Sequence, residues 1–293
     1  MTVADQTSLS ASFQDSRQHL HAVAYRMLGS LSEAEDAVQE TWIRVSRADT
    51  SDVQNLRGWL TTAVARVCLD MLRARKARLE DAVGTELPET PSKTDAEQEA
   101  ALADSVGLAL LVVLETLDPA ERLAFVLHDV FGESFDEIAE IIGRSAVAAR
   151  QLASRARRRV RGIPSVDEAE LTRQREAVGA FLMALRSGDV DQLVRVLDPE
   201  VVVRAESPSG RTREIHGART WAKQAVAYQR ARGAGELDAV RMALVDGIVG
   251  IILAPAGRLT SVLRLTFEES RIVRVDIVTS PERLRELTIS VLD

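Results

Sequence analysis

Seven arginines and no acid fall between Arg144 and Arg161. A guanidinium is charged at any physiological pH and presents five N–H donors in a planar fork, a shape that suits phosphate and the edge of guanine. Within this run Ala149, Ala153, Ala156 and Val160 recur at helical spacing, so one face of a helix is built of small residues that permit close packing. Arg150, Ser154, Arg157 and Arg161 take the opposite face, with Gln151, Arg155 and Arg158 beside them. Such a helix can enter a DNA major groove, where arginine bonds guanine bidentately and glutamine reads adenine. The surplus arginines would neutralise phosphates and make binding salt-sensitive.

A second basic cluster runs from Arg57 to Arg78, with five arginines and one lysine against the single acid Asp70. Arg66, Arg73, Arg75, Lys76 and Arg78 lie away from an apolar stripe of Leu56, Leu60, Ala63, Val64, Val67 and Met71. A basic face of this kind can track a phosphate backbone. The polar loop 47–55 beside it offers Asn55 and backbone groups to an unstacked base. Between the clusters, Glu80 to Asp104 holds eight acids and one lysine. The net charge of −7 is therefore an average over surfaces of opposite sign with separate partners. A single arginine-rich helix reads equally as a solvated face; two such helices favour nucleic acid.

The elements that position these residues are helical up to about residue 161. In 12–79, Leu20, Val23, Ala24, Met27 and Leu28 mark a first helix ended by Gly29-Ser30. Ser32 is the expected cap of a second helix that turns Ala37, Val38, Thr41 and Val45 inward. The third helix spans 56–78, and both Trp42 and Trp59 are expected in the core. Gly84, Pro88 and Pro91 amid acids make 80–104 a linker, with mimicry of nucleic acid as an alternative role. In 105–163, Asp118-Pro119 with Glu121, and Ser134 with Glu137, repeat a capping-box pattern. Gly143 then suits a left-handed helix end, and Ser145 caps the arginine helix. Helix, short glycine turn and helix is the helix-turn-helix pattern. From 168 to 293, helices precede strand-like runs at 201–203, 236–245, 247–253, 259–267 and 272–278, expected as an antiparallel meander in an α+β domain.

The same residues exclude much chemistry. His19, His21, His128 and His216 are scattered without ligand spacing, so no metal is expected. Cys68, the one cysteine, excludes an internal disulfide, fits a reducing cytoplasm and reads as a small core residue. No phosphate loop or nucleophile elbow is present, and no cofactor is expected. Apolar runs such as Leu108 to Leu114 are too short for a membrane span, and the start of the chain does not read as a secretion signal. Trp221, Tyr228, His216, Arg264 and Asp276 could line a pocket in the last domain. Nothing among them assigns an acid and a base, so packing and surface roles are expected and the chain is read as no enzyme.

Ala24-Tyr25-Arg26-Met27-Leu28-Gly29 with Ala34-Glu35-Asp36-Ala37-Val38-Gln39-Glu40-Thr41-Trp42 resembles the sigma-factor region that grips core RNA polymerase. Leu56-Arg57-Gly58-Trp59-Leu60 with Asp70-Met71-Leu72-Arg73 resembles the part that melts and reads the −10 element. Leu117-Asp118-Pro119-Ala120-Glu121-Arg122, Phe135-Asp136-Glu137-Ile138-Ala139 and Ser154-Arg155-Ala156-Arg157 resemble the domain that reads the −35 element. With no room for a middle domain, the likeness is to the extracytoplasmic-function class, and its C-terminal extension is similar to a SnoaL-like domain. The resemblance implies two all-α domains, the second a helix-turn-helix, followed by an α+β cone that regulates them in cis. It implies core RNA polymerase and promoter DNA as partners. Asp36 and Glu40, four apart on one helix face, become the polymerase contacts. Ser145 joins the −35 residues, and Arg57 joins the −10 set. Leu87-Pro88-Glu89 and Gly210-Arg211 stand where the family places interdomain motifs, with departures at Glu86, Thr90 and Ser207–Ser209. Two alternatives remain at this stage: a DNA-binding regulator sensing an unidentified small ligand, and a SnoaL-like enzyme fused to DNA-binding helices.

Overall fold

The computed structural model describes residues 3–50, 53–81, 107–206, 212–232 and 238–292. The chain divides into two compact units, one of 3–81 with Leu114–Arg158, the other of 107–113 with 159–292 among the described residues.

The first unit begins with three helices, α1 (Val3–Leu28), α2 (Leu31–Val45) and α3 (Leu56–Asp81). Gly29 adopts φ 77° and reverses the chain after α1. Ser30, in extended conformation, then caps α2 by accepting the Glu33 N–H, so Ser32 is not the cap expected from sequence. The helix starts two residues earlier than the pattern suggested, and Ser32 falls inside it with its hydroxyl on that of Ser30. Ala37, Val38, Thr41 and Val45 are buried as the periodicity required. They lie in a core with Leu20, Val23, Tyr25 and Met27 of α1 and Leu60, Val64, Val67 and Cys68 of α3.

The same unit holds α5 (Pro119–Phe125), a π-helical turn (Val126–Val130), α6 (Phe135–Ile142) and α7 (Ala146–Arg161), preceded by α4 (Leu108–Glu115). Ser134 and Glu137 form the reciprocal capping box, and Gly143 closes α6 at φ 71°. Ser145 Oγ accepts the Ala148 N–H at 3.2 Å and starts α7. Asp118 departs from its expected role: it occupies the N-cap position of α5 without capping it, and its carboxylate takes Lys76 at 2.6 Å. A charged partner outcompetes a backbone amide for the same oxygens.

The second unit contains α8 (Glu168–Ser187), α9 (Val190–Val196), α10 (Ala218–Arg232) and α11 (Pro281–Glu286). They accompany one sheet of β1 (Leu197–Glu206), β2 (Thr212–His216), β3 (Val240–Val245), β4 (Ile248–Leu253), β5 (Ser261–Glu268), β6 (Arg271–Val278) and β7 (Ile289–Ser290). The strand order is β2-β1-β6-β5-β4-β3-β7. β3 to β6 form the antiparallel meander, with Asp246 and Gly247 both at positive φ in the β3–β4 hairpin. The purely antiparallel expectation is corrected at β1, which lies parallel to β6. The β1–β2 hairpin and α10 bring the chain across before the meander starts, so β6 returns in the direction of β1. Val178, Phe181 and Leu182 of α8, Leu193 of α9 and Trp221, Ala222 and Val226 of α10 bury one sheet face, including Val201, Val203, Ile251, Leu265 and Val275. Phe181 and Trp221 stack at 5.4 Å with their planes 10° apart. Trp221→Ala should destabilise this unit by about 3–5 kcal/mol, measured as a lowered denaturation midpoint for the β-rich unit.

Candidate nucleic-acid interface

α7 is held from one side by Ala149, Leu152, Ala153, Ala156 and Val160, all buried. Arg150, Gln151, Ser154, Arg155, Arg158 and Arg161 are exposed on its other side, and Arg157 is half-buried. Three of the arginines are oriented within the domain. Arg155 Nε donates to the buried Glu121 carboxylate at 2.8 Å, Arg157 Nε to Asp129 at 2.5 Å, and the Arg150 guanidinium lies 5.1 Å from the Phe135 ring centre. Arg150, Gln151, Ser154 and Arg158 therefore present donors outward, while Arg155 and Arg157 also brace α7 against the elements before it.

On α3, Arg57, Arg66, Arg73, Lys76 and Arg78 are exposed. Arg75 is half-buried and pairs with Glu33, and Arg78 Nε reaches the Ala74 carbonyl at 3.3 Å. Asn55 caps α3, its Oδ1 accepting the Gly58 N–H at 3.0 Å, which leaves its amide NH₂ for other contacts. Trp59 is not the core residue expected. It is half-buried and lines a cavity of about 180 Å³ with Thr41, Arg44, Ala48, Thr62 and Arg66. An indole edged by two guanidinium groups suits a flat, electron-rich ring attached to a phosphate. Sequence reasoning missed this hollow because Arg44 and Ala48 belong to the end of α2 and its loop.

Asp36 is exposed on α2, whereas Glu40 receives Arg44 Nε at 2.8 Å. Hydrogen bonding to Glu40, with Asp70 nearby, raises the Arg44 guanidinium above its ordinary pKa. Trp42 is also half-buried rather than core: it tilts against Phe13 at 4.9 Å and lines a hollow of about 360 Å³ with Val38, Gln39 and Ile43. Ile43 is 48% exposed there, an apolar residue on the acidic α2 surface that the sequence pattern did not single out.

Of the residues considered for a C-terminal pocket, Arg264 and Asp276 are cross-strand neighbours on β5 and β6, and each has another ion-pair partner. Trp221 is buried in the core, Tyr228 is exposed, His216 lies beside Glu214 at 3.5 Å, Arg264 faces Asp246 at 3.5 Å and Asp276 takes Arg274 at 3.2 Å. Leu87, Pro88, Glu89, Gly210 and Arg211 lie outside the described residues. No cluster of metal-ligating side chains, and no helix long and apolar enough to cross a membrane, occurs among the described residues.

A three-helix lobe with a basic third helix, followed by a helix-turn-helix with an arginine-faced recognition helix, defines a DNA-binding protein of the transcription-initiation class. Residues 13–78 match Sigma-70 region 2, and residues 107–160 match Sigma-70 region 4. The chain is 39% identical over 251 residues to the ECF RNA polymerase sigma factor SigJ of Mycobacterium tuberculosis, spanning 83% of this chain and 80% of that one. It is 39% identical over 206 residues to the probable ECF RNA polymerase sigma factor SigI of the same species, spanning 69% of this chain and 71% of the relative. The crystal structure of M. tuberculosis SigJ aligns at 34% identity over 94% of this chain and 98% of that one, with a TM-score of 0.45. The chain belongs to the extracytoplasmic-function RNA polymerase sigma factors. Members of this family are transcription-initiation factors that act with core RNA polymerase on promoter DNA.

Cys68 is fully buried on α3, and desolvation pushes its thiol up to about 12. It should therefore resist a thiol-exchange reagent at pH 8 in the native protein and react within seconds once denaturant is added, followed by absorbance of the released chromophore.

Proposed function

We propose that α7 reads the −35 element and that α3, with the loop before it, holds the −10 strand. On this reading 12–79 carries polymerase and −10 binding, 80–104 is an acidic linker and 105–163 carries −35 binding. Residues 168–293 modulate the other domains in cis. The observation that carries the reading is α7 itself, with its alanine stripe buried and its arginine, glutamine and serine face exposed, directly after a glycine-closed turn. Arg150, Gln151 and Ser154 are the base-reading candidates; Arg158 and Arg161 contact phosphate, and Arg155 and Arg157 set the helix angle through Glu121 and Asp129. On the −10 side, Trp59 and Arg66 receive an unstacked base, and Arg57, Arg73, Lys76 and Arg78 follow the backbone. Arg75 steadies α3 through Glu33, and Asn55 fixes its start. Asp36 and Glu40, beside the apolar hollow at Trp42 and Ile43, form the polymerase-facing surface.

Reconstitution with core polymerase tests this. Arg150→Glu combined with Arg158→Glu should lower promoter affinity of the holoenzyme by at least about tenfold and flatten its salt dependence by about two phosphates' worth. Binding to core polymerase should stay at the wild-type level; equal loss of both activities would refute the assignment of α7. Removing residues 170–293 should alter the amount of run-off transcript while leaving the preferred promoter unchanged, as read by sequencing transcript starts from a promoter library. A new sequence preference in the truncated protein would exclude modulation in cis.

A further inference from the structure

Phe135, the first residue of α6, is half-buried and stands ahead of the buried run Ile138, Ala139, Ile141 and Ile142. The His128 ring stacks on it with centroids 3.9 Å apart and planes 28° apart, and the Arg150 guanidinium lies over it at 5.1 Å. A stack as close as that of His128 fills one face of the ring, so the guanidinium takes the other. Each member below Arg150 is tied to backbone. His128 sits in the π-helical turn Val126–Val130, where the Phe131 N–H reaches the Val126 carbonyl at 3.2 Å. Its Nδ1 lies 2.9 Å from the Glu133 carbonyl; a carbonyl only accepts, so Nδ1 carries the proton and donates. The capping box of Ser134 and Glu137 fixes the backbone at Phe135. Asp129, next to His128, receives Arg157 Nε, and Arg157 lies two helical turns along α7 from Arg150 on the same face. One π-helical turn therefore orients two arginines of α7, one through a carboxylate and one through a ring.

The two ways of holding an arginine differ in what they leave for DNA. Arg155 and Arg157 each give Nε to a carboxylate, which cancels charge and uses a donor. A ring attracts the guanidinium through its quadrupole and carries no net charge, so Arg150 keeps its own. No carboxylate among the described residues pairs with it. A long side chain on a helix surface samples many rotamers, and DNA must immobilise it on binding. The ring restricts that sampling before DNA arrives. We propose that Phe135, backed by His128, is a positioning residue for promoter discrimination: it holds Arg150 ready for the O6 and N7 edge of a guanine in the −35 element. The proposal rests on the assignment of α7 to the −35 element and deepens it, since it singles out one of the seven arginines between Arg144 and Arg161 for base reading.

Transcription by reconstituted holoenzyme from a promoter library randomised across the −35 element, with transcripts counted by sequencing, reads base preference position by position. Arg150→Ala should lower the preference for guanine at one base pair by at least about fivefold. Phe135→Leu should lower it at the same base pair by about two- to fivefold, the strength of a cation–ring contact at an exposed site. Phe135→Tyr, which keeps the ring, should retain it. In the Arg150→Ala background, Phe135→Leu should change nothing further at that base pair. The salt dependence of binding to a duplex without a promoter should match wild type, since Phe135→Leu removes no charge. A uniform loss at every position, with preference unchanged, would mean that Phe135 only packs α6 and would overturn the proposal. Loss at a base pair that Arg150→Ala leaves untouched would overturn it as well. Should circular dichroism show that Phe135→Leu has lost helix, His128→Ala decides in its place. It should weaken the same preference by about twofold, and an unchanged preference refutes the stack. If neither Arg150→Ala nor the charge reversals at Arg150 and Arg158 alter any base preference, the assignment of α7 itself fails.

Discussion

A helix that meets DNA on one side must be gripped from the other at short range, with few polar atoms left in the grip. That constraint shapes α7. Ala149, Ala153 and Ala156 have no exposed surface, so the backbone of α7 approaches its neighbours as closely as a methyl group allows. Alanine also loses no side-chain entropy in a helix, which offsets the repulsion among clustered arginines. The arginines help themselves: Arg155 and Arg157 spend their charge on Glu121 and Asp129, so only part of the cluster faces outward as unopposed cation. Glu121, nearly buried, needs that partner, and a lysine could not supply the same directed Nε contact.

The same reasoning applies on α3, with a different outcome. Its inner face is built of Leu60, Val64, Val67 and Cys68, larger groups that fill a three-helix core and hold α1 and α2 at side-chain distance. Trp59 lines the hollow between the end of α2 and α3 with Thr41, Arg44 and Arg66. A rigid, arginine-rimmed hollow beside a basic helix is suited to a single base, whereas α7 offers a flat row suited to a groove. The two basic clusters look alike in composition and differ in what their buried faces permit.

Some of this was legible in the sequence because it depends on neighbours within four residues. Ser134 with Glu137, Gly143 at the helix end and the alanine spacing of α7 are local patterns, and each appears as read. The α2 cap falls on Ser30 rather than Ser32 because the exit from the glycine turn, not the cap preference, decides which serine is extended. β2 was invisible because Thr-Arg-Glu-Ile-His alternates little and pairs along one edge only. The parallel β1–β6 pair follows from the path of the intervening chain, which the residues of neither strand announce. Trp42 and Trp59 were judged by residue type, yet their exposure depends on how far apart the helices sit. Arg122 was the largest omission. Its hydrogen-bond partner lies 96 residues away, and an arginine in an amphipathic segment gives no sign that its head group will be enclosed.

An enclosed arginine also bears on how the first unit distributes stability. Replacing such a group with a well-packed apolar side chain often leaves a protein as stable or more so, which makes Arg122 a poor means of holding two lobes together permanently. Its partner is a backbone carbonyl at a helix end, and helix ends carry partial negative charge that favours a cation. That interaction is directional, so the lobes are aligned only when Arg122 reaches Arg26. Lys76 and Asp118, both about half exposed, add little energy but respond steeply to salt and to competing phosphate. A buried contact that fixes geometry and an exposed one that senses charge divide the work between them.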